Sequence, residues 1–119
     1  MTGLLVVLGA IVGAPLRVWV TRAAARVGRD PAVGTLVVNV VGSGVLGALT
    51  GASGVGAAQL ALVGTGFCGA LTTFSTFGAD LHRLVDLRRL AAALAYLTAT
   101  LVLGLGAAVL AWVVARRLS

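Results

Sequence analysis

Gly66-Phe-Cys-Gly-Ala-Leu-Thr-Thr-Phe-Ser-Thr-Phe-Gly78 is the stretch on which the reading of this chain turns. It lies in the third of four long apolar segments, yet Thr72 to Phe77 place four hydroxyl residues and two phenylalanines in six positions. Gly64, Gly66 and Gly69 weaken a helix just ahead of it. The hydroxyls of Thr72, Thr73, Ser75 and Thr76 can bond the backbone groups that a break would free. Together these features predict a helix broken in mid-membrane. Irregular backbone at that depth persists only where protein covers it or a wet cavity adjoins it. Half-helix ends then offer carbonyls to cations and N–H groups to anions.

The composition makes the membrane setting plain. Of 119 residues, 60% are apolar and 10% charged, with a mean hydropathy of +1.11; a soluble domain carries roughly a quarter charged residues. The apolar runs approach the ~20 residues that cross a bilayer. A single transmembrane domain of residues 1–119 follows, with spans at about 3–20, 32–51, 56–79 and 90–114. The run from Leu4 has no basic segment before it, and Pro15 and Arg17 stand where a cleavage site would fall. It is therefore read as the first span and not as a signal peptide.

All nine basic residues are arginines, Lys and Glu are absent, and the formal net charge is +6. The arginines flank apolar runs, as orientation signals and headgroup anchors do. No basic surface with interleaved aromatics is present to take nucleic acid. The acids Asp30, Asp80 and Asp86 stand at span edges or in loops. Cys68 is single and lies in an apolar segment, where packing is its expected role. His82 has no second ligand nearby in sequence, which argues against a metal there. Carboxylate pairs, Cys/His clusters, phosphate loops and a serine with a base are all missing, and this points away from an enzyme.

Several side chains in the spans carry two readings. Gly9 and Gly13 share a helix face, as do Gly47 and Gly51, and both pairs favour close helix approach. Pro15 is expected to kink the first helix or to start a new section of it. Arg17 reads as a snorkelling anchor beside Trp19, or as a guanidinium at the mouth of an anion path. Arg22, Arg26 and Arg29 keep helical spacing, so the first loop reads as a short extension of span 1, and Asp30-Pro31 reads as an N-cap with proline at the first helical position. Asn39 is interhelical glue, or an amide whose N–H groups serve an anion without a fixed charge. Phe74 and Phe77 are ordinary packing, or two rings whose positive edges suit a small, poorly polarisable anion. Tyr96 and Thr100 form a polar stripe on the fourth span, explained either by packing or by a polar path.

The chain resembles the Fluc (CrcB) fluoride channel family over essentially its whole length. The likeness rests on four spans in about 120 residues, on Gly13-x-x-x-Arg17, on Gly34-Thr-Leu-x-x-Asn39-x-x-Gly42 and above all on Gly69-Ala-Leu-Thr-Thr-Phe-Ser-Thr-Phe77. The resemblance implies an all-α membrane fold with four transmembrane helices per subunit, assembled as an antiparallel dual-topology dimer with two pores. It implies a fluoride-selective channel in the cell membrane, exporting F⁻ by passive electrodiffusion after HF has entered and dissociated, and so conferring fluoride resistance. It further implies that Phe74 and Phe77 meet fluoride with Asn39 and Thr76 as polar partners. Tyr96 and Thr100 would belong to a polar track, and Arg17 would sit near a vestibule. The carbonyls of Gly69 and Thr72 would hold a structural Na⁺ at the dimer interface. Gly104, four residues after Thr100, stands where a further hydroxyl of that track is expected.

With four spans, both termini lie on one side. The first and third loops, on the side opposite the termini, carry Arg22, Arg26, Arg29, Arg83, Arg88 and Arg89, against Arg116 and Arg117 on the terminal side. This asymmetry predicts a preferred orientation with the termini outside, so that of the two partners the dimer could use, a second identical copy or an oppositely oriented paralogue, the paralogue is favoured. The competing readings are a small multidrug-resistance-type transporter, which needs a membrane-embedded carboxylate, and a non-transporting structural or holin-like membrane protein.

Overall fold

Four helical segments, Thr2–Arg26, Pro31–Gly51, Ala57–Asp86 and Leu90–Leu118, are each long and apolar enough to cross a membrane. The computed structural model describes all residues 1–119 and contains helices and turns only. Helix α1 is Thr2–Arg26 and α2 is Pro31–Gly51. The third span begins with α3 (Ala57–Gln59), passes through a π-helical stretch (Leu60–Cys68) and α4 (Gly69–Leu71), and resumes as α5 (Phe74–Asp86). Helix α6, Leu90–Leu118, completes the fold. The protein is a multi-pass, all-α membrane protein whose third span is broken.

The helix ends follow from local chemistry. Asp30 caps α2 by accepting from the Ala32 N–H at 2.9 Å, and Pro31 occupies the first turn where its missing N–H costs nothing. Helix α1 closes at Gly28, whose φ of +77° lets the Arg29 N–H reach back to the Ala24 carbonyl. Helix α5 closes in the same way at Arg88, with φ of +56°, and Arg89 donates to the Leu84 carbonyl. Pro15 does not interrupt α1, which runs unbroken past it to Arg26. The Pro15 side chain faces outward, away from the neighbouring helices. Helix α5 continues to Asp86, which carries Asp80 and Arg83 on helix and not in a loop.

Glycine sets the distance between helices. A Cβ on Gly9 would strike the Leu62 carbonyl, and one on Gly13 the Phe67 carbonyl, so α1 lies directly on the π-helical backbone. Gly66 returns the contact, since a Cβ there would come within 2.6 Å of the Val6 carbonyl. Along the other seam, Gly47 abuts the Ala108 carbonyl and Gly51 the Trp112 carbonyl. Residues 43, 47 and 51 thus pair in step with 104, 108 and 112, so α2 and α6 run parallel. Association in lipid rests on such backbone approach because apolar side chains gain little by leaving hydrocarbon. A small cluster of Ala32, Phe77, Leu84, Ala93 and Tyr96 ties α5 to α2 and α6.

The two kinds of glycine separate cleanly in a thermal assay. Gly47→Ala is expected to destabilise the detergent-solubilised protein by about 1–3 kcal/mol through overpacking at Ala108. Gly106→Ala, where nothing lies within 4 Å, is expected to leave the melting temperature unchanged or to raise it.

Candidate functional site

The break in the third span occupies Thr72 and Thr73, which both take extended backbone geometry between α4 and α5. Asn39 of α2 makes it possible. Its Oδ1 accepts from the Thr73 N–H at 2.8 Å, and its Nδ2 donates to the Thr73 carbonyl at 3.1 Å. In an unbroken helix the Thr73 N–H would bond the Gly69 carbonyl, so diverting it to Asn39 leaves that carbonyl free. Thr73 Oγ1 then caps α5 by accepting from the Thr76 N–H, while Thr72 Oγ1 donates to the Cys68 carbonyl at 2.8 Å. Gly42 leaves the space that the Thr72 methyl fills.

Beside the break lies an open cavity of about 500 Å³, walled by Asn39, Ser43, Thr72, Phe74, Phe77 and Thr100 among others. The Phe74 and Phe77 rings are 6.0 Å apart and tilted by 47°. Phe77 is buried, backed by Tyr96 at 5.2 Å, whereas Phe74 is 85% exposed. Thr100 Oγ1 is buried without any hydrogen-bond partner. A cavity lined by a residue with an orphaned hydroxyl, by an amide and by two aromatic side chains is neutral and bears donors, which suits an anion better than a cation. The free Gly69 carbonyl borders the same cavity through its residue, and hard carbonyl oxygens suit a hard cation such as Na⁺.

A second cavity of about 340 Å³ opens on the other side of Thr73, lined by Arg17, Thr21, Arg22, Thr35, Thr73 and Thr76. The sequence-predicted site residues therefore divide among three places. Asn39, Phe74, Phe77 and Thr100 share the first cavity with Gly69 and Thr72. Arg17 and Thr76 share the second. Tyr96 lines neither, and its hydroxyl donates to Asp80 Oδ2 at 3.3 Å.

Asp80 is the residue that sequence reasoning passed over. It was expected at a span edge, but it is only 9% exposed. Its Oδ2 also accepts from Thr35 Oγ1 at 2.9 Å, and Arg83 Nη2 lies 3.8 Å from Oδ1. Arg83 in turn grips Asp30, at 2.6 Å and 3.1 Å, with Arg89 at 3.5 Å from the same carboxylate. This network ties the first loop to the third and fourth spans. One available signal was the spacing of Asp80 and Arg83, three apart on one helix face; Thr35, 45 residues upstream, carried none. His82 pairs with Asp86 at 3.1 Å on the exposed face of α5.

The CrcB-like protein, Camphor Resistance (CrcB) family model matches residues 4–112. The chain belongs to the CrcB-like family. A curated relative, the Fluoride-specific ion channel FluC 1 of Nocardia farcinica (strain IFM 10152), is 53% identical over 53 residues. That likeness takes in 44% of this chain and 37% of the relative's length. The family match spans the break, both cavities and the acidic network, so the whole arrangement lies within the CrcB-like region.

The loop staple of this CrcB-like protein has a definite pH signature. The hydrogen bond from Arg83 holds the Asp30 carboxyl below its usual range, against the opposing effect of burial, with further help from the Ala32 N–H. A carboxyl lowered in the folded state stabilises fully above its unfolded value of about 3.9 and loses that contribution as pH falls through the lower folded value. Melting temperature is expected to be flat from neutral pH down to about 5 and to fall below about 4. Asp30→Asn should lower the neutral-pH value and shallow the acid decline; an unchanged decline would remove Asp30 as its source.

Proposed function

We propose that this chain is a subunit of a fluoride channel that passes F⁻ out of the cytoplasm by electrodiffusion. One observation carries the reading: Thr100, whose buried hydroxyl has no partner, lines a cavity together with Asn39, Phe74 and Phe77. A buried hydroxyl without a partner costs free energy in a dry, purely structural seam. In an anion path it has a ligand. The name of the Nocardia farcinica relative agrees with this chemistry.

In this reading the Arg17 cavity is the mouth, where guanidinium charge concentrates anions and Thr76 and Thr73 hydroxyls replace water. The ion then passes the break, where Asn39 retains one N–H beyond the one that it donates to the Thr73 carbonyl. It enters the aromatic cavity, where positive ring edges favour a small, hard anion. Tyr96 backs Phe77 and holds its ring in place. An inside-negative membrane assists export by about 2.3 kcal/mol per charge per 100 mV. Na⁺ would be held by the carbonyls of Gly69 and Thr72, supplying fixed positive charge beside the break. The exposed Phe74 and the open side of the cavity call for a second subunit. An antiparallel partner covers both, and the arginine excess on the loop side favours an oppositely oriented paralogue, with the termini of this chain outside.

The transporter alternative requires a carboxylate free to exchange protons and substrate. Asp80 is already engaged by Thr35 and Tyr96 and lies outside the aromatic cavity, so it does not fill that role.

Fluoride efflux from proteoliposomes, measured against chloride and with a candidate paralogue added, tests the proposal. Fluoride is expected to leave and chloride to be retained. Asn39→Asp and Phe77→Ala should each slow efflux roughly tenfold or more, the scale of losing one favourable contact to a charged group. Equal fluoride and chloride flux, or none with either partner arrangement, would overturn it.

A further inference from the structure

The wall of the aromatic cavity contains a residue to which no role has been given. Ser43 lies one helical turn beyond Asn39 on the same face of α2. It borders the aromatic cavity and also a further one of about 360 Å³ between α2 and α6, walled by Gly47, Thr50, Ala108 and Trp112. Ser43 and Leu46 border both spaces, and Ser43 is the polar one of the two.

Its hydroxyl behaves unlike those of its neighbours. Hydroxyls inside membrane helices commonly fold back onto a carbonyl one turn earlier. Thr21 does so to Arg17 at 2.9 Å, Thr50 to Leu46 at 2.9 Å, and Thr72 to Cys68 at 2.8 Å. Ser43 makes no such bond, and neither does Thr100, whose buried oxygen has no partner at all. The two free hydroxyls stand on facing helices of one cavity.

Across the α2–α6 seam, Ser43 faces Gly104. A Cβ at Gly104 would come no nearer than 3.8 Å to Ser43 Oγ, which is ordinary contact. Gly104 differs in this from Gly47 and Gly51, where a Cβ would strike backbone. Close packing does not demand glycine at 104. The position has room for a hydroxyl side chain of its own, and the hydroxyl present at that level comes from α2.

We infer that Ser43 is an anion-contacting residue, taking a small anion from the Thr100 hydroxyl and passing it into the α2–α6 cavity. A hydroxyl released from its own helix donates to the anion without first breaking a backbone bond, and its oxygen remains open to a following water. The inference rests on the channel reading and extends it by one ligand. It also explains why the polar stripe of α6 stops at Thr100, because the next hydroxyl on the path has crossed to the neighbouring helix.

The test is fluoride efflux from proteoliposomes with Ser43→Ala, Gly104→Ser and the two combined. Ser43→Ala is expected to slow fluoride efflux roughly tenfold while the melting temperature and the oligomer profile stay at the parental values. Adding Gly104→Ser should recover most of the lost rate, because it returns a hydroxyl to the same level from the opposite helix. A packing role for Ser43 would not be rescued this way. Parental-rate efflux from Ser43→Ala overturns the inference and leaves the channel reading intact. A slow Ser43→Ala that Gly104→Ser fails to speed up, while Gly104→Ser alone conducts normally, also overturns it. No fluoride efflux from the parent chain in any partner arrangement removes the channel reading, and this inference with it.

Discussion

The pair of hydrogen bonds between the Asn39 amide and the Thr73 backbone is the interaction on which the site depends. A helix cannot be opened in hydrocarbon unless the freed groups find partners, since each unsatisfied one costs several kcal/mol. Asn39 supplies a donor and an acceptor to the same peptide unit, and the threonine hydroxyls take up neighbouring groups. The Gly69 carbonyl is left available on one side of the break, and the start of α5 is capped by the Thr73 hydroxyl on the other. The two cavities meet at Thr73 because the helix breaks there.

Everything that surrounds the break serves to bring backbone close to it. Gly9 and Gly13 allow α1 to lie against the π-helical stretch, Gly42 admits Thr72, and Gly47 and Gly51 close α2 onto α6. The acidic network at the loop end fixes α5 from the other direction, with Asp80 held by Thr35 and Tyr96, and Arg83 joined to Asp30. The position of Phe77 follows from these constraints, since the Tyr96 that backs its ring also bonds the Asp80 carboxylate on the same helix as Phe77. Phe74 has no such support within the chain and remains exposed.

Much of this was legible in the sequence, because membrane helices expose their logic in composition. The four spans, the break after Gly69 and the Asp30-Pro31 cap each depend on local residue types, and the glycine pairs depend on a four-residue step. What was not legible depends on register between distant helices. Asp80 read as an edge residue until α5 continued past it and Thr35 met it from 45 residues away. The π-helical geometry of Leu60–Cys68, against which α1 packs, is one that no propensity of Leu, Val or Ala encodes. Asn39 offered two readings, glue and lining, and its geometry satisfies the first while leaving an N–H for the second. Ser43 gave no signal at all, since its distinction is the absence of a back-bond.

The central claim is that the neutral pocket beside the break selects fluoride over larger halides. The most direct measurement is the reversal potential across a planar bilayer with a tenfold fluoride gradient and equal chloride on both sides. An ideally fluoride-selective path gives about 59 mV, the value for a tenfold gradient of a single charge. A reversal potential at zero, or one that follows an imposed chloride gradient, would contradict the account.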